Sequence, residues 1–113
     1  MDAPDVVGMK DPAISVLRGK RHSSLNVCAE LVREGRATAM VTAGNTGAAW
    51  VAAKSALGMI DGVDRPALAA VVPKSDGQTL VLDVGANMEC KPHQLLQFAV
   101  MGSFYAEKVL GVS

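Results

Sequence analysis

Apolar positions recur along the chain with two different spacings, and the change from one to the other marks the elements. After Ser23-Ser24, Leu25, Cys28, Ala29, Leu31 and Val32 fall mostly on one helical face, with Glu30 and Arg33 opposite and Gly35 where a closing glycine belongs. The two hydroxyls are suitable caps for that helix. Ala37 to Thr42 is apolar on both sides of its alternation and predicts a short strand covered on both faces. Thr46 to Leu57 is alanine-rich and predicts a helix ending near Gly58.

Ala67 to Val72 and Thr79 to Val84 give two more strand patterns around Pro73-Lys74-Ser75-Asp76-Gly77. So short a link cannot carry a parallel crossover, so the pair is expected to be antiparallel neighbours in an otherwise parallel sheet. Pro92 then suits the first turn of a long helix running from His93 to about Leu110. Upstream, Asp11 and Pro12 predict the start of a short helical piece reaching Leu17, and residues 1 to 12 read as a connector.

Candidate chemistry sits where strands give way to helices or turns. Thr42-Ala43-Gly44-Asn45-Thr46-Gly47 is a glycine turn whose backbone N–H groups can face an anion with no side chain in the way. The competing reading is that Gly44 and Gly47 only permit a sharp turn and close helix contact. Asp83-Val84-Gly85-Ala86-Asn87 repeats the same logic at the exit of the third strand. Ligands of open α/β sheets bind beyond the carboxyl ends of strands, so Asn45, Thr46, Asp83 and Asn87 converge on one crevice if their strands are close. Otherwise Asp83 and Asn87 simply bond nearby backbone.

Arg18-Gly19-Lys20-Arg21-His22 is a cationic run just before a helix start, either an anion clamp built on Lys20 and Arg21 or a solvated basic loop. Cys90 and His93 could pair as thiol and base, although two residues three apart near a helix start are common by chance. Met88, Met101 and Phe104 read as core.

Composition narrows the classes. The 113 residues are 50% hydrophobic and carry 11 basic against 11 acidic side chains, which fits a globular segment and gives no overall field favouring nucleic acid. No apolar run approaches the ~20 residues of a spanning helix. The first residues lack the basic region and apolar core of a secretory signal, so a cytoplasmic location is the expectation. Cys28 and Cys90 have no zinc spacing and read as reduced structural thiols; neither metal nor cofactor is expected.

Six stretches in this order form a resemblance: Ser23-Ser24, Glu34-Gly35-Arg36-Ala37, Ala43-Gly44-Asn45-Thr46-Gly47-Ala48, Asp64-Arg65-Pro66-Ala67-Leu68, Leu82-Asp83-Val84-Gly85-Ala86-Asn87 and Gln97 to Ser103. From Asp11 onward the chain resembles the PlsX-type phosphate acyltransferases, and specifically their middle segment. The resemblance implies transfer of a fatty acyl group from acyl carrier protein to inorganic phosphate, giving acyl phosphate for phospholipid synthesis. It implies a phosphotransacetylase-like, layered α/β/α fold with a mixed, mostly parallel sheet, of which residues 1–113 would be an incomplete domain. It also implies a homodimer and peripheral contact with the inner face of the membrane in the longer enzyme.

Under that reading Asn45, Asp83 and Asn87 are the candidate catalytic residues. Lys20, Arg21, Ser24, Gly44, Thr46, Gly47 and Gly85 are the candidate substrate-binding residues. Gly19 replaces a further cation usual in the family's basic run, and Ala49-Trp50 follows the glycine turn where smaller or more flexible residues are common. A truncated, non-catalytic anion-binding module and an inactive fragment are the alternatives.

Overall fold

The computed structural model describes residues 1–112. They form two compact units, one spanning Met1–Met59 and one beginning at Ile60.

The first unit is helical. A 3-10 turn at Ala13–Val16 precedes α1 (Ser24–Arg33) and α2 (Thr46–Leu57). Val16, Leu25, Ala29, Ala48 and Ala52 are buried together, with Leu17, Met40, Val51 and Ala56 packed around them. Alanine at the contact faces lets α1 and α2 approach closely. Ser23 caps α1 through a long 3.5 Å bond from the Asn26 amide to its Oγ. The predicted ends hold: Gly35 and Gly58 take φ of +69° and +75°, which glycine adopts without strain.

Two expectations change here. Ala37 to Thr42 is not a strand; the segment is irregular and leaves Val41 97% exposed. A strand is stabilised by its neighbours, and this one has no ladder partner among the described residues. Asp11 does not cap the short helical piece. Pro12 takes the cap position, and the Asp11 carboxylate instead accepts from the Gly8 amide and from Lys20.

The second unit is a hairpin with a helix. β1 (Ala69–Lys74) and β2 (Gly77–Leu82) pair antiparallel, as the short link requires, in register from Ala69 opposite Leu82 to Lys74 opposite Gly77. Both strands are displaced by two residues from the apolar runs. Pro73 is accommodated inside β1 because a two-stranded sheet leaves one side of each strand without a partner. At the other end, Asp83 leaves the ladder to bond the turn that follows.

α3 (Pro92–Tyr105) continues through a wider π turn at Ala106–Leu110 and stops at Gly111 with φ +65°, close to the predicted helix end. A Cβ at Gly102 would stand 3.3 Å from Leu82 Cδ1, so glycine there brings α3 close to β2. Phe98 is the buried apolar side chain of this unit, while Leu96 and Phe104 stay 67% and 62% exposed. The described residues are thus α/β with this one two-stranded antiparallel sheet, and the expected parallel layer is not among them. No helix among them is long and apolar enough to cross a membrane.

Candidate functional site

The glycine turn before α2 is built around Asn45, which is 9% exposed. Its Oδ1 accepts from the Ala48 amide at 3.0 Å, so it caps the helix. Its Nδ2 lies within reach of the carbonyls of Gly8, Met9 and Asp11, at 3.1, 3.4 and 3.0 Å. Three acceptors share two hydrogens, so the side chain is fully engaged. The Gly44 amide donates to Thr42 Oγ1 at 3.1 Å. At Gly47 a Cβ would stand 3.2 Å from that of Ala13, so close approach to the 3-10 turn accounts for this glycine without a ligand. The Thr46 and Gly47 amides have no acceptor among the described residues and remain open at the helix start.

Lys20 reaches the same segment as Asn45. Its Nζ bonds the Val6 carbonyl at 2.7 Å and Asp11 Oδ2 at 2.6 Å. The hydrogen bond from Lys20 is the main cause that holds the Asp11 carboxyl below its ordinary range, followed by the Gly8 amide. Lys20 is therefore neutralised within its own unit. Arg21 has no carboxylate partner among the described residues; its Nε donates to the Leu17 carbonyl at 2.8 Å. With His22 and Glu30 it borders a cavity of about 480 Å³ floored by Val16, Ala52 and Ala56. Ser24 is an exposed first residue of α1, and the neighbouring Ser23 does the capping.

In the second unit Asp83 and Asn87 do come together. Asp83 Oδ1 accepts from the Leu68 amide at 2.9 Å and the Ala86 amide at 3.2 Å. Oδ2 accepts from the Asn87 amide at 2.7 Å and from Asn87 Nδ2 at 2.9 Å. Burial by itself would raise the Asp83 pKa, but these donors outweigh it and hold the carboxyl below the ordinary 3.8. Gly85 takes φ +79° and lets the chain fold back so that both later amides face the carboxylate. Asn87 Nδ2 also donates to the Pro66 carbonyl at 3.2 Å. Asp83 and Asn87 thus tie the Arg65-Pro66-Ala67-Leu68 stretch to the turn after β2. Asn45 and Thr46 belong to the first unit and this pair to the second.

Two residues with partners in this region were not singled out from the sequence. Arg65 lies beside Asn87, its Nη1 3.4 Å from Asn87 Oδ1. Asp64 Oδ2 is 2.7 Å from His93 Nε2, and the Asp64 amide donates to Gln97 Oε1 at 3.1 Å. The signal for Arg65 was its place in a motif lying between the two turns. His93 consequently has an orienting partner, but no hydrogen bond joins it to Cys90 among the described residues, and Cys90 is a free thiol. No three His, Cys, Asp or Glu side chains among those residues are grouped to hold a metal.

The first unit thus offers a helix start with two open amides, and the second a turn whose donors are taken up by Asp83. Comparison with known proteins places the chain further. A family model described as "Fatty acid synthesis protein" matches residues 1–113, and the chain belongs to that family, in agreement with the resemblance carried by its motifs. Curated relatives named phosphate acyltransferase include one from Pelotomaculum thermopropionicum, 52% identical over 98% of this chain and 32% of its own length. Those from Brevibacillus brevis and Elusimicrobium minutum are 54% and 55% identical over 96% and 97% of this chain, again with about a third of each relative covered. The chain therefore spans about a third of the length of these relatives.

Proposed function

We propose that residues 1–113 are part of a phosphate acyltransferase domain that moves a fatty acyl group from acyl carrier protein to inorganic phosphate, forming acyl phosphate for phospholipid synthesis. The observation that carries this reading is identity above 50% to phosphate acyltransferases across nearly the whole chain. In the longer protein the segment would belong to a layered α/β/α, phosphotransacetylase-like domain with a mostly parallel sheet. That protein would act as a homodimer in the cytoplasm, with peripheral contact at the inner membrane face, and needs no cofactor. Residues 1 to 12 would serve as the connector.

Phosphate rests on the open Thr46 and Gly47 amides, with Gly44 leaving the approach clear. Lys20 is already paired with Asp11, and Arg21 borders the cavity beside Ala52 and Ala56, further along α2, so the turn amides carry the contact. Ser24 contributes a further polar contact in the same unit, and the Gly85 turn is a separate polar feature of the second unit. A phosphate oxygen attacks the thioester carbonyl, a C–O bond forms, and the tetrahedral oxyanion is stabilised by oriented donors. Its collapse breaks the C–S bond, and the carrier thiolate leaves and takes up a proton. Asn45 shapes the helix start, and Asp83 fixes Asn87 and the backbone beside it.

The chain is tested with an acyl-carrier thioester and inorganic phosphate, alongside the full-length Brevibacillus brevis enzyme, and acyl phosphate is trapped as its hydroxamate. Formation by this chain that falls roughly tenfold or more in Asn87→Ala, with a cooperative melt retained, supports the assignment. An Asn87→Ala rate equal to wild type removes Asn87 from the mechanism. A second reading is an anion-binding segment without turnover, whose anion position is the pair of open amides before α2. Phosphate binding with no acyl phosphate formed would select it.

A further inference from the structure

Arg65 is exposed, and its one hydrogen-bond acceptor among the described residues is the neutral Asn87 Oδ1, at a long 3.4 Å. The nearby carboxylates are occupied elsewhere. Asp64, its neighbour in sequence, is turned to His93 at 2.7 Å, and both oxygens of Asp83 accept from Leu68, Ala86 and Asn87. Two other cations of this unit are paired, Lys74 at 3.6 Å from Asp76 and Lys108 at 2.5 Å from Glu107, while Lys91, exposed before α3, has no ion pair among the described residues. A guanidinium has five N–H donors in a planar fork, and only one is directed at Asn87.

The surroundings of Arg65 are also held in place. Asn87 Nδ2 donates to Asp83 and to the Pro66 carbonyl, which fixes the amide so that its oxygen faces Arg65. On the other side, the Asp64 amide and the Gly62 carbonyl are bonded to Gln97 on α3. The backbone carrying Arg65 is therefore anchored before and after it. A solvated surface arginine has no need of such bracing, whereas a guanidinium meant for a planar, two-point contact gains from losing less freedom on binding.

We infer that Arg65 is an anion-binding residue of the second unit, taking a phosphoryl oxyanion on its free N–H edge, with Asn87 and Asp83 as the residues that position it. The ligand class is a phosphate group, carried either by free phosphate or by a phosphate ester. The inference rests on the acyl-transfer reading, whose reactants carry a phosphate group, and adds to it a binding residue in the second unit, apart from the open amides before α2.

The test follows the Arg65 Nε–Hε resonance of the 113-residue chain during titration with inorganic phosphate and, separately, with phosphopantetheine. Saturable shifts at Arg65 are expected, with roughly tenfold weaker binding in Arg65→Ala, partial recovery in Arg65→Lys, and an intermediate loss in Asn87→Ala. Response to phosphopantetheine alone assigns the ester, and response to phosphate assigns the free anion. Shifts confined to the Thr46 and Gly47 amides, or equal affinity in wild type and Arg65→Ala, would overturn the inference. Either result leaves acyl transfer to be judged by the hydroxamate assay, so the two readings fail separately.

Discussion

In the turn before α2, asparagine works inward: Asn45 is buried, caps a helix and gathers three carbonyls of the segment ahead of it. In the turn after β2, asparagine is half-buried and works sideways, between a carboxylate and an arginine. The cations differ in the same sense. Lys20 beside the first turn is neutralised by Asp11, while Arg65 beside the second faces only a neutral amide. Similar glycine-and-asparagine sequences therefore do different work. Local geometry follows from whether the chain supplies a helix start or a carboxylate at that point.

The sharpest way to break this comparison is Asp83→Ala. It leaves three backbone amides and the Asn87 side chain without their acceptor, and should cost the second unit about 2–3 kcal/mol. The single tyrosine, Tyr105, and the single tryptophan, Trp50, belong to different units and report on them separately. Near-ultraviolet dichroism of Tyr105 should shift to lower denaturant while Trp50 fluorescence does not. Equal shifts in both signals would mean that the turn is not a local device.

Asn45→Ala should act on the first unit, by about 1–2 kcal/mol for loss of the cap, read from Trp50 in a urea titration. Asn45→Asp sharpens the point, because it keeps the cap acceptor but cannot donate to Gly8, Met9 and Asp11. Recovery of stability in that variant would show that the cap matters more than the clasp on the preceding segment.

The smallest effect is acid sensitivity. Asp83 has a folded pKa below 3.8, so its contribution is complete above the unfolded value and is lost as pH falls through the lowered one. The second unit should lose stability from pH 3.8 downward, and Asp83→Asn should flatten that dependence. An unchanged slope in the variant would assign the acid response to other carboxylates. Asp11, half-buried beside Lys20, is lowered in the same direction in the first unit.

Much of the local structure was legible because it depends on neighbours in sequence. The apolar face from Leu25 to Val32, the alanine run after Thr46 and the glycines at 35 and 58 gave helix positions and ends that the fold reproduces. The short link around Ser75 and Asp76 fixed the antiparallel sense of β1 and β2. The site was legible in part: the motifs marked which turns carry polar groups, but not which atoms are already engaged.

The sequence by itself determined the helices, the hairpin and the two turns, because periodicity, capping and loop length act over a few residues. Only the tertiary structure decided that Ala37 to Thr42 stays irregular, since a strand depends on partners its own sequence does not contain. It alone decided that Lys20 is neutralised and Arg65 is not. Asp11 lies nine residues from Lys20 and Asn87 lies 22 from Arg65, and such pairings arise only when the chain folds back on itself.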